Sequence, residues 1–546
     1  MSAPSDKLAE ASRTSGPDRT ETLLTELRDH LGYRRIAAGL RTLQETRPEI
    51  ATLAAHSGVL TGLVAQWVDA GFADAELLQH LLEYFPTGRR ASLPVLDYLH
   101  LRMAEGALAM SDEDVDSAAA HFRFVQSLEG EVDDKELLAI ANFWEGRCLR
   151  KMGHYDDALS YTVRGEELAL ECGYPQMAAI MQMSRSWLAF QKGKLSEALA
   201  ILRHAEDALS QTDDFLNRGN IQSFYGRIAR RQGRYERAVE CFEKAIAEYR
   251  EGGGGQTQLA RALLNLAFVR RLLALEVQKV STSQRDVRER IARIRGDATA
   301  ELDESMAIYA RHHNHRGIAG VHINRGFLRL DEGDLEGAAA EGAEAFRHGE
   351  EKHDHIVMAR ARTLECIIEN AALEEQIGDP AAHHDAAEAF ARDAVRFGEE
   401  TENRRLLARA HIWQGLTFAA GPQPDVDAAR RSLERATALL QPESLERQYV
   451  WEELDRLRAA VLRARPIDAT LRAWSAGVVD NTSFQQMTEE FARIIIPKVW
   501  EREGRKVSRV AAKLSISPKK VRRILHAAGV LAENQGRPPM NADDRG

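Results

Sequence analysis

The sequence has little that would staple, anchor or energise it. Its 546 residues include only four cysteines, Cys148, Cys172, Cys241 and Cys366, and none forms a C-x-x-C pair. Scattered cysteines of this kind imply buried free thiols in a reducing compartment, not a disulfide frame. Proline is scarce, at 15 residues, so long helices can run unbroken. No stretch reaches the ~18 unbroken apolar residues of a membrane span. The opening residues MSAPSDKLAEASRTSGPDRT lack the apolar centre of a signal peptide. A cytoplasmic protein with no membrane partner is the expectation. Catalytic signatures are missing too. There is no G-x-x-x-x-G-K-[ST] loop and no H-E-x-x-H, and the run Gly252 to Gly255 follows a helical pattern instead of a strand. No receiver-like or ATPase-like segment stands before the carboxy-terminal region. Histidines cluster at His312, His313 and His315, at His353 and His355, and at His383 and His384. Spacings of one and two suit loop ends better than a metal-binding helix face. No enzymatic activity, cofactor or metal is expected.

Ala, Glu, Leu and Arg dominate instead, which favours helix over strand. A chain this long exceeds one hydrophobic core, so several domains or a repeat array is required. The repeat is visible. Small residues recur forty apart at Gly106, Gly146, Ser186 and Gly226, and twelve residues after each lies Ala118, Ala158, Ala198 or Ala238. A short turn precedes the alanine in G153-H-Y155, G193-K-L195 and G233-R-Y235. The set returns at Gly326, Gly333, Leu335 and Ala338, with a weaker copy around Val426 and Ala429. Two antiparallel helices per repeat account for this pattern. Small residues let the backbones approach, and glycine supplies the left-handed turn that ends the first helix. One pair cannot bury its apolar face alone, so successive pairs stack into a solenoid.

The copy Y235-x-x-A238-x-x-x-F242-x-x-A245 resembles tetratricopeptide repeats, and the likeness extends over roughly residues 98 to 440. The forty-residue step exceeds that family's usual period of about 34 and is similar to a variant in large bacterial transcription regulators. A helical-pair solenoid of the HEAT kind is the alternative. Residues 259–309 hold more than one repeat needs. Their stripes Leu266, Val269, Leu273, Val277, Val280 and Val287, Ile291, Ile294, Ala298, Leu302 predict an extended antiparallel hairpin around S281-T-S283. Disorder is expected over 1–20, and a helical amino-terminal cap over 21–95. The solenoid then occupies 96–465, a linker 466–481, a small domain 482–531, and a disordered tail 532–546.

That small domain holds the sharpest charge contrast. Ten Lys or Arg residues lie between 498 and 526, opposed only by Glu501 and Glu503, although the whole chain carries −10. Val507, Val510, Ala511 and Leu514 share one face of a short helix. A turn at S515-I516 follows, and Ser517 then caps a second helix with Pro518 at its first position. Val521, Ile524 and Leu525 point inward from it. The segment from S483 to V530, with its V507-S-R-V-A-A-K-L-S-I-S run, resembles the Fis-type helix-turn-helix domain that closes many bacterial regulators. It departs in placing Ser515 where the turn often has glycine and Pro497 in the preceding helix. Helix arithmetic puts Lys519, Arg523 and His526 opposite Val521, facing outward, with Lys520 and Arg522 on the flanks. Lys519 and Arg523 are therefore assigned to bases of double-stranded DNA. Lys520, Arg522, Lys513 and Arg509 are assigned to phosphates, with Ser517 at the helix start. The resemblance implies a homodimer through the helix before the motif, by way of Phe484, Met487, Phe491, Ile494 and Ile495; simple packing of that helix onto the motif, or dimerisation through the 259–309 hairpin, is the alternative. Ala512 and Leu514 are expected to be core positions.

The predicted fold is thus all-α: an α-solenoid of tetratricopeptide-like pairs followed by a small helix-turn-helix domain. A partner ladder is expected on the first helices, from two polar sets in repeat register. Asn142, Gln182, Gln222 and His322 form one, and Glu145, Arg185, Tyr225 and Arg325 the other. Ala141, Met181, Ile221 and Val321, with Cys148, Leu188, Ile228 and Leu328, form the packing face. The expected function is transcription regulation by a protein or peptide signal. An interaction scaffold with an accessory or non-functional helix-turn-helix is the alternative.

Overall fold

A computed structural model describes residues 16–68, 70–72, 74–253, 255–280, 285–420, 424–440, 449–464, 483–528 and 530–531. Every regular element among them is a helix. The chain divides into two compact units, 1–458 and 459–546.

The first unit is a stack of antiparallel pairs. Its paired helices are α6 (Val95–Ser111) and α7 (Val115–Gln126), α8 (Lys135–Met152) and α9 (Tyr155–Glu171), α10 (Pro175–Gln191) and α11 (Leu195–Leu209), then α12 (Phe215–Arg231) and α13 (Tyr235–Gly252). First helices start at 95, 135, 175 and 215, so the forty-residue beat is one pair per step. The stack continues through α14 (Gln256–Val280) and α15 (Arg285–Arg311), α16 (His315–Asp331) and α17 (Leu335–Glu351), α18 (His355–Glu375) and α19 (Pro380–Glu399), then α20 (Arg404–Ala420) and α21 (Val426–Leu440). The pair α14/α15 is the hairpin, at 25 and 27 residues. The division between units falls inside α22 (Tyr449–Ala464).

Local chemistry sets these boundaries. Asp134, Asp214, Asn314, Asp334 and Asp354 each accept a backbone N–H from the first turn of the helix they precede. Between helices the left-handed position is taken by Gly153, Gly193, Gly233 and Gly333. In other turns Glu113, His313 and His353 accept the same conformation despite their Cβ atoms. Within a pair, a Cβ on Gly146 would lie 3.2 Å from the Ala158 carbonyl oxygen. Ser186 Oγ donates to the Ala198 carbonyl at 2.7 Å. Ala118, Ala158, Ala198, Ala238 and Ala338 are all fully buried. The small residue and the alanine twelve positions later therefore meet across the pair, and the eight apolar packing positions of α8, α10, α12 and α16 are buried as their spacing requires.

The amino-terminal helices are α1 (Gly16–Gly32), α2 (Ile36–Ala54), α3 (Gly58–Ala65), α4 (Ala75–Glu83) and α5 (Thr87–Arg90). Residues 16–20, expected to be disordered, open α1; residues 1–15 lie outside the described residues. The region does more than close the end of the array. Although α3 packs on α6, where a Cβ on Gly62 would lie 2.5 Å from the His100 carbonyl, the loop after α1 reaches the fourth pair. Arg34 Nε donates to buried Asp214 at 2.7 Å, and the N–H groups of Ala37 and Ala38 at the start of α2 donate to Asp213. Arg28 pairs with Asp134 at 2.9 Å.

The second unit contains α23 (Phe484–Arg502), α24 (Val507–Lys513) and α25 (Pro518–Ala527). Ile496, Val510, Ala511, Val521, Ile524 and Leu525 make its core. Pro497 sits inside α23 without ending it. Ser515 takes the left-handed conformation, φ 52°, in the turn before α25. Ala512, expected in the core, is exposed; its neighbour Ala511 holds the buried position. The expected linker 466–481, tail 532–546 and hairpin turn 281–283 lie outside the described residues.

Candidate functional site

Helix α25 carries a one-sided charge distribution. Ser517 Oγ accepts the Lys520 N–H, and Pro518 occupies the first turn, where its missing donor costs nothing. Val521, Ile524 and Leu525 are buried, while Lys519, Lys520, Arg522, Arg523 and His526 are exposed. Those five and Arg509 form no ion pair among the described residues. Lys513 differs, because its ammonium is already held by Glu503. Ahead of this core, α23 leaves Phe484 81% and Phe491 50% exposed. Met487, Ile494 and Ile495 are partly covered.

The polar ladder on the first helices is not an open surface. Glu166, on the second helix of one pair, accepts Gln182 Nε2 at 3.0 Å and Arg185 Nη1 at 2.7 Å from the next. Forty residues on, Glu206 repeats the arrangement with Gln222 at 3.2 Å and Tyr225 Oη at 2.7 Å. Glu145 accepts Arg123 at 2.8 Å and Arg325 donates to Asp303 at 2.6 Å. Burial pushes the Glu145 carboxyl above its ordinary range, against the pull of Arg123. Asn142 is buried and donates to the Leu138 carbonyl, while His322 bonds Glu341 at 2.6 Å. Seven of the eight bond a side chain on a neighbouring helix, and Asn142 bonds a carbonyl of its own helix.

A different face of the same helices borders a cavity of 190 Å³. Phe143, Trp144 and Arg147 enter from α8, Met183 and Trp187 from α10, Ser223 and Arg227 from α12, and Arg261 from α14. The amino-terminal segment adds Arg34, Gln66 and Trp67, and Gln66 Oε1 accepts the Trp144 indole N–H at 3.0 Å. Arginines stack on its aromatics: Arg147 lies 4.2 Å from the Trp144 ring centre and Arg150 4.9 Å from that of Trp187. None of the described residues lining it is Asp or Glu. Sequence reading missed this face, although a signal existed. Arg147, Trp187 and Arg227 are the residues immediately after the small positions Gly146, Ser186 and Gly226.

The histidine tracts do fall at helix ends. His313 and His353 occupy left-handed turn positions. His315, at the start of α16, bonds both Glu113 and Asp354. Burial would lower its pKa, but the hydrogen bonds it donates to Asp354 and Glu113 raise it to about 8. Elsewhere, His322, Glu344 and His348 bring ligand atoms within 4.8 Å of one another, the arrangement among the described residues best suited to a cation. Arg347 already donates to Glu344 at 2.8 Å, which supplies positive charge there.

A tetratricopeptide repeat model matches residues 217–275, so the solenoid carries tetratricopeptide repeats. No curated protein matches the chain. A Rap protein solved in complex with Competence and Sporulation Factor is similar over 70% of this chain and 98% of its own, with 12% identity and a TM-score of 0.50. The Rap conjugation gene regulator of plasmid pLS20, with the Phr* peptide, covers 70% and 97% at 11% identity and a TM-score of 0.42. Yeast Tom70 covers 84% and 85% at 13% identity and a TM-score of 0.36. At these identities the likeness is one of fold, and only the first reaches a TM-score that supports an argument. No described helix is long and apolar enough to cross a membrane.

Proposed function

We propose that this chain is a DNA-binding transcription regulator, with a Fis-type helix-turn-helix at 484–527 and a tetratricopeptide solenoid that receives a protein or peptide signal. The observation that carries the reading is the set of exposed, unpaired cations on α24 and α25, backed by a buried core. A helix that offers guanidinium and ammonium groups with no internal acid is suited to phosphates and base edges. Lys519 and Arg523 read bases, with His526 beside them. Lys520, Arg522 and Arg509 grip phosphates, and Lys513 joins them by leaving Glu503. Exposed Phe484 and Phe491 support pairing of two copies through α23, which would set two recognition helices on one operator. Fold similarity to a Rap protein solved with Competence and Sporulation Factor supports a partner on the solenoid. The reading assigns no catalysis to the chain.

The test is titration of the full-length chain with a random-sequence duplex across a salt series. Binding should weaken steeply with salt, and Lys520→Ala with Arg522→Ala should flatten the log–log slope by about 0.9 per lost contact. A folded double variant with unchanged affinity and slope would end the assignment.

A further inference from the structure

The cavity beneath the amino-terminal helices has an electrostatic imbalance that packing does not explain. Arg227 lies in its wall with no hydrogen-bond or ion-pair partner among the described residues. Its charged neighbours are Arg150, Arg230 and Arg261. Burial, aided by those like charges, pulls its pKa down to about 9, which still leaves a guanidinium cation at neutral pH. Other buried or half-buried arginines of the unit have acids: Arg34, in the same wall, has Asp214, Arg185 has Glu166, and Arg271 has Asp331. A half-buried arginine with no carboxylate among the described lining residues costs stability when the cavity is empty. A bound anion removes that cost.

The rest of the wall says what the anion is attached to. Trp144, Trp187 and Met183 line the same cavity, two flat indoles that already carry Arg147 and Arg150 and a polarisable thioether. The volume and the overlying Trp67 suit a small compound better than a folded partner. We infer that this cavity is a receptor site for a small amphipathic organic anion, its acidic group on Arg227 and Arg261 and its apolar body against Trp144, Trp187 and Met183. Charge-assisted hydrogen bonds supply the specificity for the acid, and ring contact supplies the remainder. This site is separate from the protein or peptide signal and from DNA binding proposed above, and neither is needed for it.

Three probes separate the two halves of the site by calorimetry on the full chain. Indole-3-acetate has both acid and ring, indole-3-acetamide has the ring with a neutral amide, and inorganic phosphate has charge without a ring. Indole-3-acetate should bind roughly tenfold or more tightly than either of the others. Arg227→Met should erase its preference over the amide, and Arg227→Lys should keep part of it. Arg227→Met should also raise the melting temperature of the ligand-free chain, because it removes an unpaired charge; an arginine held for packing would do the opposite. Equal binding of acid and amide, no binding of any probe at millimolar concentration, or a preference that survives Arg227→Met would each overturn the inference.

Discussion

The solenoid and the terminal unit treat positive charge in opposite ways. In the solenoid, arginines are largely internal fittings. Arg270 reaches Glu243, Asp297 and Glu301, and Arg164 spans Glu129 and Glu167. Arg409 pairs with Glu453 at 2.8 Å. The terminal unit instead leaves Arg509 and five side chains of α25 exposed and without an ion pair among the described residues. A guanidinium with an acid beside it has its hydrogen bonds satisfied and attracts nothing further. One without an acid is either solvated or waiting for an anion from outside. Local pairing, more than net charge, is what separates the two units, and inside the solenoid Arg227, without an acid partner among the described residues, resembles the terminal unit.

That contrast can be broken at several strengths. The largest effect should follow from removing exposed cations. Arg523→Ala should relax sequence preference among duplexes, and adding Lys520→Ala and Arg522→Ala should lower the salt slope by about 1.8. The same count of changes in the solenoid, at Arg164, Arg270 and Arg409, should leave DNA affinity untouched. A filter-binding series on both triple variants decides this, and equal losses would abolish the distinction between the units.

Next comes the core beneath the charges. Ala511→Glu buries an uncompensated carboxylate and should destabilise the terminal unit by about 3 kcal/mol or more. Ala512→Glu, one residue away on the exposed side, should stay within about 0.5 kcal/mol. Limited proteolysis followed by mass spectrometry would show whether cleavage appears only beyond α22 in the first variant. Similar behaviour of the two variants would contradict the assigned helix face.

A smaller effect tests pairing inside the solenoid. The pKa of His315 is raised to about 8 from an ordinary 6.5. Its ion pairs with Glu113 and Asp354 therefore contribute fully below pH 6.5 and are lost as pH rises through 8. Stability should fall by about 1–2 kcal/mol across that window, and His315→Gln should flatten the fall. Denaturant midpoints at pH 6 and pH 9 check it. The least effect is expected from Ser515→Gly. Relieving the left-handed strain should add about 1 kcal/mol to the terminal unit without altering DNA affinity; a loss of stability would mean that the serine hydroxyl has a role beyond the turn.

Much of the architecture was legible because it depends on near neighbours in sequence. A small residue and an alanine twelve positions apart must face each other once a turn reverses the chain, so Ser186 and Ala198 were paired by spacing alone. The inward face of α25 follows from helical periodicity. Alanine placement was less secure: Ala511 and Ala512 differ by 100° on a helix, and only the packed unit distinguishes them.

The internal partners of the ladder were not legible, for a related reason. Periodicity placed Gln182 and Arg185 together on one face, and both reach Glu166. It could not say that the previous pair, carrying Glu166, lies against that face. Sequence by itself determined the helices, their pairing, the forty-residue step, and the charge contrast between the two units, because each arises from spacing or local composition. Tertiary structure alone decided that α1–α3 lie against the array, that Arg34 meets Asp214 across 180 residues, and that Arg227 meets no acid among the described residues. Those outcomes depend on which surfaces remain once the pairs have stacked, and burial is a property of the assembled array that no single repeat contains.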